Sequence, residues 1–220
     1  GHPKSYYLDH WRERYVLETC MYFPFITAKN LTGFGPGHSR LMRAFPRLQM
    51  ILVLALDKAL PENRIEVDDD GAPVVHYTFT EPVVDALVAA TRASAKIFFA
   101  AGAERVHAPE ADPPLIEQAD AGRVDELITA DHFLPGKISV SAAHLMGGAG
   151  MGTSAAASVT DAWGRVHGLP WLRVADSSLF PDSLEINPYL TIMGLADRVA
   201  EKVREELSGF ASGRRPERGG

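Results

Sequence analysis

The chain has 220 residues, 46% of them hydrophobic and 23% charged, the composition of a soluble globular protein of one or two domains. Its formal net charge of -6 gives no basic footprint, so nucleic acid is not an expected partner, whatever the short basic tail Arg214, Arg215 and Arg218 suggests. Cys20 is the one cysteine, which excludes an internal disulfide and a cysteine-built metal cage and is compatible with a reducing, cytoplasmic setting.

Residues 6–25 are dense in aromatics (Tyr6, Tyr7, Trp11, Tyr15, Tyr22, Phe23, Phe25), an aromatic wall suited to core packing or to lining a ligand. The stretch Gly33-Phe34-Gly35-Pro36-Gly37-His38 is then expected to break regular structure. Residues 48–56, 64–67 and 74–79 read as strands, with Asp68-Asp69-Asp70-Gly71 as a tight turn, and so predict a small antiparallel sheet. The run Met50 to Leu56 is far too short to span a membrane, which takes about 20 apolar residues.

Thr80 offers a helix cap and Pro82 sits in the first turn; Val84, Leu87, Val88, Thr91, Ala95 and Phe98 recur at helical spacing until Gly102. Residues 108–136, rich in proline, read as a long surface connection with one short helical turn near 124–129. Residues 137–143 are expected to form a strand that delivers His144, and 172–176 a strand that stops at Asp176. Asn187 as cap, Pro188 at the first helical position and the apolar spacing Ile192, Leu195, Ala196, Val199, Val203 predict a helix from about 189 to 207, closed by Gly209. The tail, residues 209–220, is expected to be disordered.

Elimination narrows the chemistry. The sequence holds no Gly-x-Ser-x-Gly nucleophile elbow, no His-x-x-x-His pair and no Walker lysine after Gly152, so hydrolysis by an activated serine, a dedicated metal site and a P-loop are not expected. Gly148-x-Gly150-x-Gly152 lacks the third glycine of a dinucleotide fingerprint. What stands out is an isolated histidine, His144, on a glycine loop, followed some forty positions later by an asparagine before a helix.

Residues 141–203 carry an ordered series: His144-x-x-Gly147-Gly148 with Met151-Gly152, Val159-Thr160-Asp161, Gly164-Arg165-Val166-His167-Gly168, Leu172-Arg173-Val174-Ala175-Asp176-Ser177-Ser178 with Pro181, and Asn187-Pro188-Tyr189-Leu190-Thr191-Ile192. In this series the chain resembles the carboxy-terminal part of the glucose-methanol-choline (GMC) oxidoreductases, flavoenzymes that oxidise alcohols. The pairing of His-x-x-Gly-Gly with Ile-Asn-Pro-x-x-Thr-Ile is more similar to the cholesterol oxidase and long-chain alcohol oxidase branch, and favours a hydrophobic alcohol.

The resemblance implies an α+β protein in which residues 1–136 are a substrate-binding cap portion with an antiparallel sheet. Residues 137–208 would complete a Rossmann-like FAD domain supplied mostly by an amino-terminal polypeptide that these 220 residues lack, through a cleaved or split chain. It implies FAD as cofactor, His144 and Asn187 facing the flavin ring, and Gly147, Gly148, Asp176, Ser177, Pro188 and Tyr189 as cofactor contacts. A neutral imidazole suits removal of the hydroxyl proton as hydride leaves the carbon, and Asn187 can hold the substrate oxygen without becoming charged. The glycines are expected to let cofactor and substrate approach the backbone. The competing expectation is a non-catalytic lipid-binding or regulatory module that kept the scaffold. His167 reads as part of a surface turn.

Overall fold

A computed structural model describes residues 6–20, 22–31, 33–108, 115–138, 140–184 and 186–211, so the expectations for residue 139 and for 212–220 lie outside the described residues. The contacts fall into two units, Gly1–Asp57 with Phe79–Ser141, and Lys58–Thr78 with Ala142–Gly220. An internal segment of the first half, Lys58–Thr78, groups with the carboxy-terminal part. Mixed helices and small antiparallel sheets bear out the α+β expectation.

In the first unit, β1 (Tyr7–His10), β2 (Tyr15–Thr19) and β3 (Ile51–Ala55) form an antiparallel sheet with β2 in the centre. Central placement explains why four consecutive residues of β2, Tyr15 to Glu18, are buried. This region is thus a hairpin, its chain reversed by a short 3-10 turn at Trp11–Glu13 and by Arg14 at φ 61, and of the rings expected as a wall Tyr15 is buried whereas Tyr6, Tyr7, Trp11, Phe23 and Phe25 are exposed. Two helices follow, α1 (Pro24–Asn30) and α2 (Pro36–Arg43). The glycine-proline stretch begins α2 rather than breaking structure, because Gly35 takes φ 78 before the helix and Pro36 fills its first position.

The helix α3 (Glu81–Ala100) organises this unit. One face carries Ala86, Ala89, Ala90 and Ala93 and lies on Tyr15, Leu17, Ile51, Val53 and Ala55 of the sheet; small residues let helix and sheet approach closely. Its other face carries Val83, Leu87, Val88, Ala95 and Phe99 into a second cluster with Val106, Ile116, Val124, Ile128 and Phe133. The helix stops as its sequence predicts. Gly102, at φ 89, donates to the Phe99 carbonyl at 3.0 Å and Ala103 donates to Phe98 at 2.9 Å, a Schellman closure.

Residues 105–108 and 115–133 correct the expectation of a surface connection over 108–136, except at its short helical turn near 124–129, which forms. They form β6 (Arg105–His107) paired with β7 (Leu115–Glu117), then 3-10 turns around α4 (Val124–Leu127). Val124, Ile116 and Ile128 are at most 2% exposed. Elements this short carry too few periods to register as a pattern, yet their isolated apolar residues fill the core beneath α3.

The second unit holds the hairpin of β4 (Arg64–Val67) and β5 (Pro73–His76), as the sequence predicts, the hairpin of β8 (Arg165–Val166) and β9 (Leu169–Arg173), and the helix α5 (Tyr189–Ala211). α5 runs through Gly209 rather than stopping there, at a propensity cost of about 1 kcal/mol for an internal glycine. Among the described residues, no helix is long and apolar enough to cross a membrane.

Candidate functional site

The site is assembled in the second unit around the loop that follows His144. The strand expected over 137–143 is not seen at residues 140–143, which with 144–146 run without regular structure, so His144, half-buried, sits in a loop. The backbone after it is held from two sides. On one side the Ala149 N–H donates to the Ser178 carbonyl at 2.9 Å and the Met151 N–H to Leu179 at 3.0 Å. On the other, Gly152 donates to Thr160 at 2.9 Å, while Val159 and Thr160 both donate to the Gly150 carbonyl. Thr160 is fully buried, and its hydroxyl donates to the Ala149 carbonyl at 3.1 Å, which satisfies the polar atom that burial would otherwise leave unpaired.

This packing gives three of the glycines a structural role. Gly147 has φ 90, and a Cβ on it would lie 3.3 Å from the Ala59 methyl; one on Gly150 would lie 3.4 Å from Pro181, and one on Gly152 only 2.7 Å from the Ser158 side chain. These three make room for the protein's own chain. Gly148 is the less crowded position, with Ser178 Cβ at 3.8 Å.

The segment expected as a strand ending at Asp176 stops earlier, since β9 ends at Arg173. Asp176 instead caps the 3-10 turn Ser177–Leu179, its Oδ1 accepting the Ser178 N–H at 2.8 Å and the Ser178 hydroxyl at 2.5 Å. That hydroxyl, with the backbone N–H beside it, holds the Asp176 carboxyl below the usual aspartate range. The Ser177 hydroxyl donates to the Leu145 carbonyl at 2.6 Å. Asp182 completes the frame: its Oδ1 accepts the N–H groups of Ser183 and Ala59, each at 2.9 Å, and so ties the residue beside Gly147 into the same unit.

Asn187 is half-buried and Pro188 buried, whereas Tyr189 is 63% exposed. The first bond within α5 runs from Ile192 N–H to the Pro188 carbonyl at 2.8 Å, which puts Pro188 in the cap position and Asn187 one residue before it. The cap expected of Asn187 is therefore shifted by one. The N–H groups of Tyr189, Leu190 and Thr191 precede that first bond and donate to no partner among the described residues, at the positive end of the helix dipole. No hydrogen bond joins the His144 and Asn187 side chains, and neither is engaged by another described residue. His167 donates its N–H to the Val159 carbonyl at 3.0 Å and its ring meets the Ser158 hydroxyl at 3.1 Å; that hydroxyl gives its proton to Ser154. The turn reading of His167 agrees with its place between β8 and β9.

Expected site residues thus lie on three strips of one unit: His144 with its glycines, the Asp176 turn, and the start of α5. The first two are bonded together. Sequence reasoning missed Thr160, Asp182 and Ala59, which hold the loop. Thr160 stands within the quoted motif series, but its bonding partner is eleven residues away and gives no local signal.

The comparisons supply the class. The model of the GMC oxidoreductase carboxy-terminal region, described as GMC oxidoreductase, matches residues 60–196, more than half of the chain, and the protein belongs to that family. An uncharacterized GMC-type oxidoreductase of Mycobacterium tuberculosis is 29% identical over 179 residues, covering 80% of this chain and 27% of its own length. Paromamine 6'-oxidase of Streptomyces fradiae is 42% identical over 64 residues, 29% of this chain and 12% of that protein. Oxygen-dependent choline dehydrogenase of Ectopseudomonas mendocina is 35% identical over 69 residues, 28% of this chain and 12% of that protein. The chain spans about a quarter of the length of the mycobacterial relative.

Proposed function

We propose that this chain is the carboxy-terminal portion of an FAD-dependent enzyme that oxidises the CH–OH group of a hydrophobic alcohol, long-chain or sterol-like, with His144 as base and Asn187 positioning the hydroxyl. The observation that carries the reading is the family match over residues 60–196, which contains both His144 and Asn187, together with the fact that no other described residue bonds either side chain in an otherwise tightly bonded unit. FAD would be held mostly by an amino-terminal polypeptide of the same enzyme. Residues 1–136 are the substrate-binding cap portion, and 137–208 complete the flavin domain.

The donor set fits the ring end of a flavin. An imidazole, an amide and the start of α5, whose first N–H groups no described residue engages, suit a carbonyl-rich ring that gains negative charge on reduction, and Pro188 and Tyr189 stand at that helix start. When bound, the flavin supplies the hydride acceptor. His144 takes the hydroxyl proton onto a ring nitrogen, and Asn187 holds the alcohol oxygen by hydrogen bond so that the C–H and O–H bonds are aligned. Gly147 and Gly148 keep the loop narrow beside them, while Asp176 and Ser177 shape the turn against which it rests.

In the flavin-loaded assembly, His144→Asn and His144→Ala are expected to lower turnover by roughly 10² to 10⁴, the size of a general-base contribution, while the flavin stays bound. Unchanged turnover removes His144 from the mechanism. The substrate class is read in the same assay: flavin reduction by 1-dodecanol or cholesterol should outpace reduction by choline or paromamine, and the reverse order overturns the hydrophobic reading.

A further inference from the structure

We propose that Ser177 is a positioning residue for His144, its hydroxyl fixing the backbone immediately after the histidine; this rests on the reading of His144 as the base. The bond runs from Ser177 Oγ to the carbonyl of Leu145, the next residue after His144, at 2.6 Å. No other described residue hydrogen-bonds the His144 side chain, so its ring is placed by its backbone. The loop meets the turn at 177–179 through three bonds: Ser177 to Leu145, Ala149 to Ser178 at 2.9 Å, and Met151 to Leu179 at 3.0 Å. Only the first lies beside His144; the other two lie beyond Gly147, whose φ of 90 turns the chain between them.

The platform is itself stiff. Asp176 locks Ser178 through two bonds, and Leu179 is fully buried. A serine hydroxyl has one proton to donate. In Ser177 that proton is spent on Leu145, which leaves only acceptor capacity toward any cofactor and assigns the residue to the histidine loop.

The test is a pH titration of histidine-labelled chain followed by NMR, with His144→Asn identifying the His144 signals among those of the eight histidines. In Ser177→Ala the His144 ring signals and titration midpoint should move while the other seven hold, and the Leu145 and Met146 resonances should shift with them. Ser177→Thr, which keeps the hydroxyl, should return them to the parent positions. Should Ser177→Ala fold poorly, Ser177→Cys keeps the volume and weakens the donor. Parent-like His144 signals in Ser177→Ala overturn the proposal, and so does a shift that threonine does not reverse.

The flavin-loaded assembly supplies the second arm. There the Ala variant should slow flavin reduction by 1-dodecanol about five-fold, the worth of one net hydrogen bond, without changing the apparent dodecanol affinity. If His144→Asn leaves that rate intact, the base reading fails, while the NMR arm still decides the role of Ser177.

Discussion

Gly164 has no room for a side chain. It takes φ 70, a Cβ would overlap the Val174 carbonyl oxygen and approach Val199 at 3.1 Å, and the Gly164 carbonyl accepts the Val174 N–H at 2.8 Å. Asp161 fixes the same turn, its Oδ1 taking the N–H groups of Trp163 and Arg165 at 2.8 and 2.9 Å. Gly168 shares the positive φ, at 79, but a Cβ there meets nothing within 4 Å. The two therefore separate strain from collision. Gly168→Ala is expected to cost about 1 kcal/mol, the penalty of a left-handed alanine, and Gly164→Ala about 3 kcal/mol or more, since backbone must move. Urea midpoints of the two variants against the parent check this, and equal losses would mean that the close approach at Gly164 relaxes without strain.

At the scale of elements, α5 is fastened to the β8–β9 hairpin by charge. Glu206 receives Arg173 through both carboxylate oxygens at 2.7 Å and Arg165 through one of them; Arg173 also donates to the Trp163 carbonyl, and Trp163 has Arg198 4.3 Å from its ring centre. Burial pushes the Glu206 carboxyl up, but the bonds and charge of Arg173, with Arg165 and Lys202, outweigh it and hold the group below the ordinary glutamate range. A depressed folded value gives stability that is present above the unfolded value of ~4.3 and is lost as pH falls through the folded one. Glu206→Gln should therefore destabilise the second unit by about 2 kcal/mol at pH 7, less than a fully buried pair because Arg165 is 37% exposed, and by much less near pH 3. Urea unfolding at both values measures the difference, and an equal loss at the two pH values would assign the effect to packing.

Elements were legible where the chain repeats a period or punctuates it. α3, the β4–β5 hairpin and the start of α5 carry long periodicity, an Asp-Gly turn or a proline-led first turn. β1, β2, α2 and the β6–β7 pair were hidden because they are short and draw their order from distant partners, as Ile116 does from α3. The site was legible by motif only. His144 and Asn187 stand out as residue types in an ordered series, whereas the clamp through Ser177, Thr160 and Asp182 joins residues eleven to more than a hundred positions apart and has no local pattern.

Over the whole molecule, apolar burial is unequal between the units. Tyr15, Leu17, Leu87, Phe99, Ile116, Val124, Ile128 and Phe133 belong to the first, whereas the buried apolar side chains described in the second are Leu179, Phe180, Pro188 and Val199. The second unit is held instead by backbone bonds, carboxylate caps and the Glu206 cluster, each worth only about 1 kcal/mol or a few. It should open first, and it is the unit that carries His144 and Asn187. Two of the three tryptophans, Trp163 and Trp171, report on it. Tryptophan fluorescence is therefore expected to change at lower urea than the far-ultraviolet signal of α3, and amides of β2 and α3 to outlast those of residues 149–160 in hydrogen exchange. Coincident transitions would show one cooperative unit. Under the proposed function, supplying the amino-terminal polypeptide with FAD should raise the first transition and leave the second in place, because a partner stabilises the part that it binds.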